Sequence, residues 1–244
     1  GTQGNFVFSL AARRDAQTDL VASGMAELDG VAPVGAALET LTLRLDDVEW
    51  NLAQPTQLRY TEAEGLVIQN LMLERSGPDQ GSIAVNGAVP PTGLASLDVE
   101  ITEFELSDIR RLNRTAPEVS GLLSLQAFIE GPVASPTLTL NARVEGLTYE
   151  GAQLDLLTFN GNLEGGRLAG FAEATNEGVQ LLTADLAIPM NLSLEGMVPD
   201  FELLMSDPVS MTILADPLPM DVLIALTPGL SRGTGLARAE ILVS

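Results

Sequence analysis

The stretch GLLSLQAFIEGPVASPTLTLNARVEGLTYEGAQLDLLTFNGNLEGGRL, residues 121–168, sets the rule for the whole chain. It reads as a strand, a Gly-Pro turn with a second proline at Pro136, a strand, a Tyr-Glu-Gly turn, a strand, a Gly-Gly turn and another strand. Each strand is long and alternates apolar with polar residues, the signature of a sheet with two unlike faces. Leu123, Leu125, Ala127 and Ile129 share one face. So do Leu138, Leu140, Ala142 and Val144, and then Leu157, Phe159, Gly161 and Leu163, with Leu168 opening the next strand. No residue in this stretch carries obvious chemistry, so function has to be sought in the surface that the stretch builds.

The same rule extends outward. Phe6, Phe8, Leu10 and Ala12 alternate, and Leu20, Ala22, Gly24 and Ala26 continue in phase. Pro33 and Gly35 predict a loop over 31–37. Leu41, Leu43 and Leu45 form a strand that Asp46-Asp47 turns into a shorter one, Val48, Trp50 and Leu52. Leu66 and Ile68 alternate, and the apolar phase then slips to Leu71 and Leu73. A slip of one residue would flip every later side chain, so a bulge at Gln69-Asn70 is expected. Residues 76–81 read as a turn, and strands follow at 83–89 and 97–101. After residue 168 the alternation resumes through Leu182, Ala184, Leu186 and Ile188. Short strands broken by Pro189, Pro199 and Pro208 are expected over 189–208, with further strands at 209–215 and 235–243.

Two segments depart from period two. Leu106, Ile109 and Leu112 are spaced by three, a helical period, with Asp108 near the start and Arg110 and Arg111 toward the end, an order that suits the helix dipole. Met220 and Leu223 give the second helical interruption, predicted over 218–228. Strand, short helix, Gly, strand therefore occurs at 97–129 and again at 209–243, and approximate units 1–120 and 121–244 suggest a quasi-linear array.

Composition narrows the function classes. The chain has 244 residues and a formal net charge of −21, and all 12 of its basic residues are Arg. So acidic a chain has no electrostatic route to a phosphate backbone, and nucleic acid is excluded as a partner. With no His, no Lys and no Cys, a Ser-His-Asp triad, a Lys Schiff base, thiol chemistry and a His-based metal site are impossible. No phosphate-binding Gly-rich loop occurs, and no cofactor is expected. Asp46-Asp47 and Glu62 with Glu64 are the best carboxylate pairs, but adjacent residues of a strand face opposite ways, and a solvated turn is the simpler reading. The expectation is a protein that is not an enzyme and has no metal site. Trp50 and Tyr149 read either as anchors at a lipid–water rim or as packing at turns. No apolar run approaches the length of a membrane-spanning helix. The chain begins at Gly1 and stops at Ser244 within a strand, and is expected to be a piece of a longer protein.

Two architectures satisfy about fifteen half-apolar strands. A sandwich would bury two apolar faces against each other, whereas a single long antiparallel sheet folded into a trough would line its inside with them. Hydrophobic residues make up 45% of the chain but aromatics only 4%, which favours the trough, since filling the roughly 10 Å between packed sheets usually takes more aromatic volume. Fifteen strands at about 4.8 Å would extend roughly 70 Å, far longer than a small-molecule pocket.

The run 121–168 also resembles the repeated unit of the TamB family, the large translocation-and-assembly-module proteins of the Gram-negative envelope. The family pattern is a Gly-led strand, Gly-x-x-x-x-Pro, a strand ending in Gly, a Tyr-Gly-like turn and a Gly-Gly hairpin. Gly121, Gly131 with Pro136, Gly146, Tyr149 with Gly151, and Gly165-Gly166 stand at these places. The segments 50–60, 65–74, 81–93, 106–112 and 188–196 are similar to other parts of the family, and the resemblance is weakest at 1–40.

The resemblance implies an all-β fold, a long antiparallel sheet curled into a U-shaped β-taco trough with an aliphatic interior. It implies a periplasmic location, with the parent protein anchored in the inner membrane, and a similarity to bridge-like lipid transporters. The implied activity is movement of phospholipid between the two membranes. Acyl chains would lie in a groove lined by Leu123, Leu125, Ile129, Leu138, Leu140, Val144, Phe159, Leu163 and Leu168, with headgroups in water. The alternative is a scaffold or chaperone that assembles outer-membrane β-barrel proteins with an Omp85-type partner.

Overall fold

Alternating side chains on the sequence become long strands in space. The computed structural model describes residues 3–14, 18–29, 32–77, 81–149, 152–204, 208–219 and 236–243. It divides into two units. The first takes Gly1–Phe104, Gln126–Pro136 and Ser193–Asp200, and the second takes Glu105–Leu125, Thr137–Leu192 and Phe201–Ser244. The chain is all-β and its described strand pairs are antiparallel, as the alternation requires.

In the first unit the strands are β1 (Gln3–Arg13), β2 (Thr18–Asp29), β3 (Ala32–Leu45), β4 (Val48–Leu52), β5 (Thr56–Thr61), β6 (Gly65–Arg75), β7 (Ser82–Val89) and β8 (Leu94–Glu105). Their order is β1-β2-β3-β4-β6-β7-β8, and β5 fits beside β3 and β6. Cross-strand partners share a face, so one apolar row runs Phe6, Ala26, Ala36, Leu58, Ile68, Gly87, Leu97. One buried cluster gathers Leu45, Val48 and Trp50 with Leu43, Leu73, Ile83 and Phe104.

The expected bulge is present. Register between β6 and β7 shifts between Ile68 and Leu71, and Asn70 takes a left-handed φ of 54°. Asp46 and Asp47 make the turn between β3 and β4. The loop predicted over 31–37 is corrected: β3 begins at Ala32 and carries Pro33 and Gly35. Pro33 stands at the second residue of the strand, opposite Leu28, where the register shifts, and a strand start tolerates a missing N–H. Gly81 and Ser76 are described on either side of the predicted turn at 76–81, but its centre, 78–80, lies outside the described residues.

The second unit opens with α1 (Asp108–Leu112), the first of the two predicted helical interruptions. Its Asp108 is fully buried and pairs with Arg111 at 2.5 Å, while the Leu106 N–H donates to the Gly121 carbonyl at 2.9 Å. The strands are β9 (Val119–Pro132), whose first half belongs here, β10 (Thr137–Tyr149), β11 (Ala152–Glu164), β12 (Arg167–Asn176), β13 (Val179–Ser193), β14 (Asp200–Leu203), β15 (Ser210–Pro219) and β16 (Leu236–Val243). They follow one another in sequence order, except that β14 pairs with β13 off this path and β15 follows β13 directly.

Two expectations are corrected here. Pro189 does not break the chain, because β13 runs through it to Ser193. Pro189 is buried opposite Arg167, and its carbonyl accepts the Leu204 N–H at 3.0 Å. The second helical interruption does not begin at Leu218, since Leu218 and Pro219 pair with Ala237 and Leu236 within β15 and β16. Its remainder, 220–228, lies outside the described residues.

Candidate functional site

The candidate site is the aliphatic face of the second unit. Register assembles it from four cross-strand rows. The first row is Leu138, Leu163, Leu168, Ile188. The second is Leu140, Gly161, Gly170, Leu186, Met211. The third is Ala142, Phe159, Ala172, Ala184, Ile213, and the fourth is Val144, Leu157, Ala174, Leu182, Ala215. Val243, Ile241 and Ala239 of β16 stand opposite Met211, Ile213 and Ala215. None of these positions holds a charged or hydrogen-bonding side chain. Rows two residues apart on a strand are about 7 Å apart, and strands about 4.8 Å, so the face measures roughly 20 Å by 24 Å.

The central rows of the reverse face are largely polar. Asn141, Asn160 and Asp185 share a row with Phe171, and Arg143, Thr158, Glu173 and Thr183 make the next. Arg143 pairs with Glu145 at 2.7 Å. The two faces therefore separate hydrocarbon from charge across a single layer of backbone.

Six of the nine residues singled out from the sequence come together on this face: Leu138, Leu140, Val144, Phe159, Leu163 and Leu168. Leu163 is 2% exposed and Leu138 is 9% exposed, whereas Leu140, Val144, Phe159 and Leu168 are only half-buried. Those four keep contact with solvent, unlike the side chains of a closed core. Leu123 and Leu125 are half-buried on the first half of β9, which neighbours β10 in strand order. Ile129 belongs to the first unit, where it is buried.

The apolar phase of β10 changes at its far end, which the sequence reading missed. Pairing runs from Glu145 opposite Leu156 to Leu147 opposite Leu154, and Gly146 is left between them at a φ of 61°. Leu147, Leu154 and Leu156 thus lie on the reverse face from Val144 and Leu157. The signal was present as the three-residue step from Val144 to Leu147; here the register to β11 is unbroken, so the apolar residues change face, whereas the shift at Asn70 keeps them on one face.

Glu62 and Glu64 are exposed, and Glu64 pairs with Arg59 at 2.9 Å. Among the described residues no group of three or more His, Cys, Asp or Glu is placed to hold a metal ion. Trp50 is 2% exposed and stacks on Phe104, so packing is its role. Among the described residues no helix is long and apolar enough to cross a membrane. Comparison with protein-family models, curated proteins and solved structures finds no match.

Proposed function

We propose that this chain is a periplasmic segment of a TamB-like protein, a non-enzymatic conduit through which phospholipid passes between the inner and outer membranes. In this reading the sheet curls into a U, the acyl chains lie on its aliphatic face, and the headgroups remain in water. The single observation that carries the reading is the set of four charge-free rows across β10–β13, in which Leu140, Val144, Phe159 and Leu168 are only half-buried. An acyl chain leaving water gains about 0.8 kcal/mol per buried CH₂. A surface of Leu, Val, Ile and Ala offers nearly the same gain at every step, so a chain slides along it without deep traps. Sliding requires no nucleophile, metal or nucleotide, which agrees with a chain that lacks His, Lys and Cys.

A second reading, strand-pairing with outer-membrane β-barrel proteins beside an Omp85-type partner, has β14 in its favour. Among the described residues this strand pairs only with β13, and its Phe201 and Leu203 are exposed. Main-chain pairing of this kind ignores inner-face side chains but needs free backbone groups on an edge. Native mass spectrometry of the purified chain, with extracted lipids identified, separates the two. The conduit binds phospholipid and loses it in Leu140→Asp while tolerating Glu202→Pro. The scaffold reading expects the reverse for capture of an unfolded β-barrel protein, and a lipid-free wild-type protein would sink the conduit.

A further inference from the structure

At the centre of the aliphatic face two residues without side chains stand opposite each other, Gly161 and Gly170. Leu140 and Leu186 flank them in the same row. Such a pair would leave a recess in the hydrocarbon layer, and the Phe159 ring lies across it. A Cβ on Gly161 would come within 2.8 Å of the ring Cε1, and a Cβ on Gly170 within 2.6 Å of Cε2 and Cζ. The ring therefore rests directly on the backbone of both glycines.

The backbone does not require these glycines. Neither appears among the residues with positive φ, so any L-residue could adopt either conformation. What their lack of a side chain provides is room for the ring. The cross-strand partners of Phe159 itself are small, Ala142 and Ala172, with Ala184 next in the row. Side chains move between staggered wells, and a half-buried ring beside small residues meets little bulk on leaving the glycines for the alanines.

We infer that Phe159 is a specificity-determining plug. In the empty protein its ring fills the recess over Gly161 and Gly170. An acyl chain bent by a cis double bond takes the recess and drives the ring toward the alanines. A straight chain follows the rows of Leu and Val without using the recess, so the preference is for cis-unsaturated chains. This inference rests on the conduit reading and names the chain geometry that the conduit selects.

The test compares palmitoleate with palmitate, each below its micelle concentration, binding to the full 244-residue chain. Wild type is expected to bind palmitoleate about tenfold more tightly, the low end of what one apolar contact discriminates. In Gly170→Ala the added methyl occupies the recess, and the preference should fall to within about twofold. Because the backbone at residue 170 accepts alanine, this variant should keep the wild-type circular dichroism spectrum. A 4-fluorophenylalanine placed at position 159 reads the ring itself, and its ¹⁹F resonance should move with palmitoleate and stay with palmitate. If both fatty acids bind equally to wild type, or the preference survives Gly170→Ala, the plug is overturned while the conduit stands. If neither binds, the conduit reading falls and the plug falls with it.

Discussion

The indole of Trp50 stacks on the ring of Phe104 with centroids 5.6 Å apart and 24° between the ring planes. Trp50 belongs to β4 and Phe104 to β8, so the pair ties two strands that are not neighbours in the sheet order. Leu43 stands opposite Trp50, and a Cβ on Gly81 would lie 3.3 Å from the indole Cη2, which closes the site around the ring. Trp50→Ala should cost about 3–5 kcal/mol, the range for a deleted buried aromatic. Urea unfolding followed by circular dichroism measures this. A loss below about 0.5 kcal/mol together with weakened lipid binding would return Trp50 to the role of a rim anchor.

Two glycines should respond very differently to the same substitution. Gly87 has a φ of 138°, and a Cβ there would sit 2.1 Å from the Ser96 carbonyl oxygen. Gly87→Ala combines strain with a backbone clash and should cost more than about 2 kcal/mol. Gly170→Ala meets a ring that can move and, at 3.3 Å, the Asn160 carbonyl oxygen, and should change stability by less than about 1 kcal/mol, in either direction. Thermal unfolding of the two variants side by side checks the contrast.

Position on the aliphatic face sets what a charge does. Leu140 is half-buried opposite Gly161, so an aspartate there reaches water, and Leu140→Asp should remain folded while losing bound lipid. Leu163 is 2% exposed between Leu138 and Leu168, and Leu163→Asp would bury an unpaired carboxylate. That variant should lose more than about 4 kcal/mol. If Leu140→Asp unfolds as badly as Leu163→Asp, the face is closed core and lipid has no place on it.

The turn between β3 and β4 offers a gain. Asp46 holds a φ of 56°, a conformation that costs a residue with a Cβ roughly 1 kcal/mol and costs glycine nothing. Leu45 and Val48 pair directly across this two-residue turn, which favours glycine where φ is positive. Asp46→Gly should raise stability by about 0.5–1 kcal/mol, read as a higher urea midpoint at unchanged slope.

Much of this architecture was legible because a strand advertises its faces residue by residue. The bulge at Asn70 could be read from the slip between Ile68 and Leu71, and α1 from the spacing of Leu106, Ile109 and Leu112. The errors arose where residue type was read without its partners. Pro33 and Pro189 looked like breaks, yet one sits at the start of a strand and the other uses its carbonyl to hold Leu204. At Gly146 the apolar spacing stepped by three as it did at Asn70, but the register there is unbroken, so Leu147 falls opposite Leu154 on the other side of the sheet, whereas the bulge at Asn70 keeps Ile68 and Leu71 on one side.

Of the candidate site, the sequence by itself determined the chemistry and the side. Alternation places Leu138, Leu140 and Val144 on one face because successive side chains of a strand point in opposite directions, and that is a local property of the backbone. Only the tertiary structure decided what lies next to what. That Gly161 meets Gly170, that Phe159 leans over both, and that Leu163 is sealed while Leu140 stays half-open follow from the register between strands. Register is set by turns, bulges and packing summed over many residues, and no single strand carries it.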